Sequence, residues 1–202
     1  MEIDFEAISS SERYSFLTQL VVPRPIAWVT TVNEAGEVNA APFSFFNVFG
    51  SNPAMVALGI GNRSDGGPKD TAFNIRGGGE FVINMVTEEL AEQMVQTSFE
   101  YARGESELSR VGLTASPSVK VGPPRVAESP VHLECQEIST QEIGGNRLIL
   151  GKVVHGSVDD RFVDRETNRI LTEQLRPVGR MHGRAGYTRT RDLFEIARPK
   201  QP

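Results

Sequence analysis

The run Gly66-Gly67-Pro68-Lys69-Asp70-Thr71 combines residue types that suit an anion. Two glycines and a first-turn proline open a helix. The unpaired N–H groups of that first turn point outward and carry the positive end of the helix dipole. Lys69 adds a point charge and Thr71 a hydroxyl donor, while Asp70 is expected to cap the turn rather than face a dianion. A helix start of this kind suits a phosphate. Taken alone, such a tripeptide more often marks an ordinary capped surface helix with a solvated lysine. Arg63, in the preceding loop, is a further candidate for the same anion. Two nucleotide motifs fail on spacing. Between Gly61 and Lys69 the lysine does not directly follow the second glycine, so there is no Walker loop. Gly59-Ile60-Gly61-Asn62-Arg63-Ser64 has serine where a dinucleotide fingerprint needs its last glycine.

A second segment, Asn39-Ala40-Ala41-Pro42-Phe43-Ser44-Phe45-Phe46-Asn47, suits a flat, partly apolar ring with polar edges. Pro42 breaks strand hydrogen bonding and frees backbone groups for a ligand. Ser44 and Asn47 bring donors and acceptors to the same place. Most of the rings of Phe43, Phe45, Phe46 and Phe49 are expected to be core, the commoner use of aromatic residues. Trp28 and Thr30 share one face of their strand by the period of two. Trp28 either lies near a bound ring or covers the barrel end as packing.

The elements that position these segments follow from pattern. Ser10 or Ser11 is expected to cap a short helix with an apolar face of Tyr14, Leu17 and Leu20. Pro23 and Pro25 force an extended run into a strand at residues 26–32. Asn33-Glu34-Ala35-Gly36 turns this into a hairpin with residues 38–41. Residues 55–60 and 80–85 read as buried strands. Between them the helix opened by Pro68 ends at Gly77-Gly78-Gly79. Thr87 is expected to cap a longer helix with Leu90, Ala91, Met94, Val95 and Phe99 on its apolar stripe. Residues 104–130 are polar and proline-punctuated, as suits a surface wrap. Residues 131–142 and 147–158 form two strands joined through Gly144-Gly145. Residues 192–196 are a short strand candidate in a loop-rich tail. Many strands, few helices and several hairpins favour a mainly β fold, a β-barrel with flanking helices.

Composition bounds the function. The 202 residues suit one domain with a real core, with residues 1–20 as a helical extension and 176–202 as a tail. A net charge of −5 argues against nucleic-acid binding, and no apolar run reaches the length of a membrane span. The acidic N-terminus lacks signal-peptide character, and the single Cys135 suits a reducing compartment, so a cytoplasmic protein is expected. Asn62-Arg63-Ser64 is then a chance glycosylation sequon. The three histidines have no Cys or carboxylate at ligand spacing, so no metal site is expected. His132 sits among alternating strand residues and is expected to be structural.

The ordered set of Arg24-Pro25-Ile26-Ala27-Trp28-Val29-Thr30-Thr31, the 39–47 segment and the Lys69-Asp70-Thr71 helix start resembles the flavin reductase-like, FMN-binding split-barrel family. That family includes flavoredoxins and the reductase components of two-component monooxygenases, and the likeness covers residues 21–199. The resemblance implies a Greek-key-like split barrel with FMN as cofactor, or FAD in its place. It places the FMN phosphate on Lys69 and Thr71, backbone contacts at Ala41, Pro42 and Phe43, and Ser44 and Thr30 near the ribityl chain or phosphate. Arg24 either joins them or pairs with an acid across a dimer. Arg180-Met181-His182-Gly183-Arg184-Ala185-Gly186-Tyr187 resembles the family's Arg-x-x-Gly-x-x-x-Tyr stretch near the cofactor. His155 ends a strand resembling the part that faces the nicotinamide, which implies a catalytic contact or proton donor. The implied activity is flavin reduction by NADH or NADPH, in a homodimer that serves a partner monooxygenase or redox protein. A flavoredoxin-like electron carrier and a non-catalytic FMN-binding protein fit the same residues.

Overall fold

Alternation along the first strand divides the molecule into two cores. Ala27 and Val29 face one, while Ile26 and Trp28 face the other. The computed structural model describes residues 1–101 and 106–199, so the start of the expected surface wrap at 104–105 and the tail residues 200–202 lie outside the described residues. Helix α1 (Ser10–Leu20) precedes strands β1 (Ala27–Val32), β2 (Val38–Phe43), β3 (Phe46–Ser51) and β4 (Ala54–Gly61). Helix α2 (Asp70–Gly78) and β5 (Glu80–Met85) follow, then a 3-10 turn at Glu88–Leu90 running into α3 (Ala91–Gln96). Next come α4 (Glu107–Arg110), the short pair β6 (Ala115–Ser116) and β7 (Arg125–Val126), and the long hairpin of β8 (Val131–Ile143) and β9 (Asn146–Val158). Two small pairs finish the chain: β10 (Val163–Asp164) with β11 (Arg169–Ile170), and, after α5 (Thr172–Leu175), β12 (Val178–Arg180) with β13 (Tyr187–Arg189).

Seven strands form one antiparallel sheet in the order β2-β1-β5-β8-β9-β4-β3, the mainly β, Greek-key-like arrangement expected. Inward residues from β1, β2, β4, β5, β8 and β9 meet in one apolar cluster, with Ala72 and Ile75 of α2 packed into it. A sheet whose six strands share a single core must coil round it as a barrel. Phe81 fills this interior so closely that a Cβ on Gly151 of β9 would overlap its ring. The second core lies outside the barrel, where Trp28, Ala40 and Val86 meet Leu90, Met94 and Leu108.

Several expectations are corrected. Ser9, not Ser10 or Ser11, caps α1, in a capping box with Glu12. Its apolar residues Tyr14, Leu17 and Leu20 are exposed, and Thr18 is the residue that α1 buries. The helix expected after Thr87 is broken into a 3-10 turn and a six-residue helix that ends at Gln96, short of Phe99. Residues 192–196 form no strand, and Leu193, Phe194 and Ile196 are exposed. A run of apolar residues needs a surface to pack on, and pattern does not supply one.

Candidate functional site

Helix α2 begins at a cleft. Lys69 is its N-cap residue, and its side chain makes no cap hydrogen bond. The helix closes on Gly79, whose φ of +69° is the left-handed conformation glycine tolerates best. Asn39 and Ala41 of β2, Arg63, Lys69, Asp70 and Thr71 line the cleft with the segment 97–101 and Glu107 opposite. Asp70 is the first helical residue rather than the cap, and it pairs with Arg63 at 3.0 Å. The same guanidinium donates to the Tyr101 carbonyl at 3.3 Å, which ties the facing wall to the helix start.

Thr71 is almost fully buried, and its orientation is set by β2. Asn39 Nδ2 donates to Thr71 Oγ1 at 2.9 Å and to Thr31 Oγ1 at 3.3 Å. Asn74 Nδ2 donates to Thr31 Oγ1 at 3.0 Å. Because an amide NH₂ can only donate, Thr71 must accept there, and its own hydroxyl proton is left to be given elsewhere. Glu107 lines the same cleft, is 6 % exposed, and accepts from the Ala40 amide at 2.8 Å. Burial pushes its carboxyl above the ordinary glutamate value. The Ala40 bond pulls the other way, and nearby Asp70 adds to the rise. Set against a flavin phosphate, the groups that would hold it are the start of α2, Lys69, the Thr71 hydroxyl and Arg63, whose charge is shared with Asp70.

The structure brings Ala41, Arg63, Lys69, Asp70 and Thr71 together and leaves the other expected contacts outside the cleft lining. Trp28 and Thr30 are fully buried. Trp28 Nε1 donates to Thr97 Oγ1 at 2.9 Å, and Thr30 donates to the Pro124 carbonyl, so both serve the outer packing layer instead. Phe43 is in the barrel core, paired across from Ala27. Pro42 sits in β2 at the end of the sheet order, where a missing N–H is tolerated. Ser44 Oγ accepts from Arg24 Nε at 3.3 Å, and Asn47 is exposed with its side chain on its neighbour's amide. Arg24 itself is spent within the chain, donating also to the carbonyls of Thr18, Val21 and Met181.

His155 is likewise not part of this cleft. Its Nδ1 lies 3.4 Å from Oε1 of Glu134, a fully buried residue of β8 whose two oxygens accept the amides of Val119 (2.9 Å) and Lys120 (2.6 Å). His132 bonds the Val126 carbonyl and Ser157, the structural role expected of it. Among the described residues, no group of three or more His, Cys, Asp or Glu residues could hold a metal ion. The residues that pattern missed are Glu107 and the 97–101 wall, brought to the cleft from more than 25 positions beyond Thr71 with no local motif to mark them.

A family described as "Flavin reductase like domain" matches residues 19–175, which include the cleft's strand, helix and facing wall. The chain belongs to this family. A protein of Deinococcus radiodurans, itself uncharacterized, is 44 % identical over 200 residues, covering 96 % of this chain and 88 % of the relative. Among solved structures, nitrilotriacetate monooxygenase component B from Bacillus cereus superposes with a TM-score of 0.91 at 29 % identity, over 97 % of this chain and 98 % of that one. The 2-nitrobenzoate 2-nitroreductase of Pseudomonas fluorescens gives 0.89 at 31 %, over 98 % and 96 %. The split-barrel architecture and a flavin reductase-like fold are therefore properties of this chain. None of its described helices is long and apolar enough to cross a membrane.

Proposed function

We propose that the chain is an FMN-binding oxidoreductase in which NADH or NADPH reduces the flavin, for onward supply of reduced flavin or electrons to a partner. The observation that carries this is the cleft at the start of α2, where Lys69, Arg63 and the Asn39-oriented Thr71 hydroxyl meet. Those groups hold and orient a phosphate, and the flavin supplies the hydride chemistry when bound. The chain's contribution to that step is position, so no residue with a shifted proton affinity is required at the ring. The likeness to a monooxygenase component and to a nitroreductase supports a redox role.

The unit is proposed to work as a homodimer. Tyr14, Leu17 and Leu20 of α1 and Phe45, Val48 and Phe49 at β3 are exposed apolar residues, and Tyr14 and Phe45 lie ring to ring at 6.0 Å. A cleft open on one side buries a large ring better when a second copy covers it. Light scattering that returns a 22 kDa monomer with flavin bound would remove the dimer and leave the reductase reading standing. The reductase reading has its own test in anaerobic stopped-flow at about 450 nm, the oxidised-flavin band. Bleaching by NADH or NADPH is expected. If neither nucleotide bleaches a bound flavin that dithionite reduces, the partner-fed electron carrier replaces the reductase.

A further inference from the structure

Four polar side chains lie buried where β1 and β2 meet α2. The inward row of β1 runs Ala27, Val29, Thr31, and that of β2 runs Phe43, Ala41, Asn39, with the apolar members of both packed into the barrel core. At the α2 end each row turns polar, and the register sets Thr31 directly across from Asn39. Thr31 is fully buried, and Asn39, Thr71 and Asn74 are each 9 % exposed or less. Polar groups in such a place cost stability unless they are paired, a cost that apolar residues of similar size would not carry.

The pairing here has a direction. Asn39 Nδ2 donates to Thr31 Oγ1 at 3.3 Å and to Thr71 Oγ1 at 2.9 Å, and Asn74 Nδ2 donates to Thr31 Oγ1 at 3.0 Å. Thr31 thus anchors the amides of Asn39 and Asn74 between the strands and the helix. Thr71 Oγ1 receives, and among the described residues it donates no hydrogen bond. That unassigned proton lies where Thr71 lines the cleft.

We propose that Asn39 is a positioning residue for the flavin phosphate, acting through Thr71: by filling an acceptor site of the Thr71 oxygen, its amide turns the hydroxyl proton toward the ligand. The proposal rests on the flavin reading above and deepens it by naming the residue that makes Thr71 a donor. The ionised oxygens of a phosphate only accept, so the site needs donors aimed at them in advance. Lys69 and the start of α2 carry donors alone. A hydroxyl carries both a donor and lone pairs, and it rotates among three staggered positions. Left to itself it would present a lone pair to the phosphate as readily as its proton. Asn39 removes that choice, and Thr31, the second acceptor of its amide, holds Asn39 in place.

The test is a double-mutant cycle on flavin affinity, read by titrating the full chain with FMN and with riboflavin. Asn39→Leu removes the donor at similar volume and leaves the hydroxyl free to turn, so FMN should bind about threefold more weakly, one orientation in three. Riboflavin should be indifferent. In a Thr71→Val background Asn39→Leu should cost nothing further. Asn39→Asp can only accept, so it should draw the Thr71 proton to itself. Its cost to FMN should be about tenfold greater with the Thr71 hydroxyl present than in Thr71→Val, the scale of one hydrogen bond to a charged group. Repulsion between the new carboxylate and the phosphate is common to both backgrounds and cancels. Losses that are the same with and without the hydroxyl would mean that Asn39 meets the flavin directly, and they overturn the proposal. Unchanged FMN affinity in both Asn39 variants, or an Asn39→Leu loss equal for FMN and riboflavin, overturns it too. If Asn39→Leu does not fold, the Asn39→Asp cycle decides; if neither folds, Asn39 serves folding and the proposal falls. A wild type that binds riboflavin as tightly as FMN removes the phosphate from this cleft while the flavin reading stands. A wild type that binds neither overturns the flavin reading, and the role of Asn39 goes with it.

Discussion

Glu107 and Glu134 are both buried glutamates, and the protein treats them in opposite ways. Glu134 is under the loop at 117–124, where each oxygen accepts a backbone amide and His155 lies beside one of them. Burial alone would raise its pKa. The amides of Val119 and Lys120, with His155 and Arg125 near, overcome that and leave it below the ordinary glutamate value. At Glu107 burial outweighs the amides of Ala40 and of its own backbone, and a like charge, Asp70, lies close by, so its carboxyl is held above that value. Each carboxylate has two backbone amides, and what differs is the charge beside it: His155 and Arg125 near Glu134, Asp70 near Glu107. A buried carboxylate beside cationic groups is held ionised, whereas one beside a like charge holds its proton more tightly.

The largest effect is expected from Glu134→Ala. Two part-buried backbone amides would lose their acceptors, at a cost of about 2–5 kcal/mol in urea unfolding. That loss should fade as pH falls below about 4.3. A group whose folded pKa is depressed stabilises above its unfolded value and loses that contribution as pH drops. A variant as stable as wild type at pH 7 would show that the 117–124 loop is held by other contacts.

Lys69→Ala probes the other region and should weaken FMN by about 1.5–3 kcal/mol, as for a charge-assisted hydrogen bond. Riboflavin, which has no phosphate, should be indifferent. Equal losses for both ligands would return Lys69 to the role of a helix-start lysine.

His155→Gln should be milder, about 1 kcal/mol of stability, because the Val119 and Lys120 amides still hold Glu134. Flavin reduction should keep its rate. A fall of about 10–100-fold in that rate with FMN affinity intact is the signature of a positioning or proton-transfer group, and it would place His155 at the nicotinamide after all.

The smallest effect belongs to Glu107→Gln, a gain in stability of under about 1 kcal/mol at neutral pH once solvent screening is counted. The sign follows from its raised pKa: the folded state holds the proton more tightly, so ionisation costs stability as pH rises above about 4.3. Thermal unfolding across pH should show the gain vanish in acid, opposite to Glu134→Ala. A destabilised Glu107→Gln at pH 7 would mean that the ionised carboxylate is a net support.

Sequence by itself determined a good deal. The β pattern, the 131–158 hairpin and the helix start at Lys69-Asp70-Thr71 are local features, set by alternation, turn glycines and a proline, and the structure forms each of them. The start of α2 that lines the candidate cleft was legible because it is one continuous motif. Other assignments needed the tertiary structure. Period two puts Trp28 and Thr30 on one face but cannot say whether that face meets a ligand or the α3 layer, and packing decided for α3 and Thr97. Asp70 reads as a cap until Arg63 arrives from the preceding loop. His155 reads as a free strand-end base until β8 sets Glu134 directly across from it. Glu107 and the 97–101 wall reach the cleft through contacts distant in sequence, and nothing in their own neighbourhoods records a partner so far away. Local propensity fixes what a segment is, but the faces it turns to ligand, core or solvent are fixed by what packs against it.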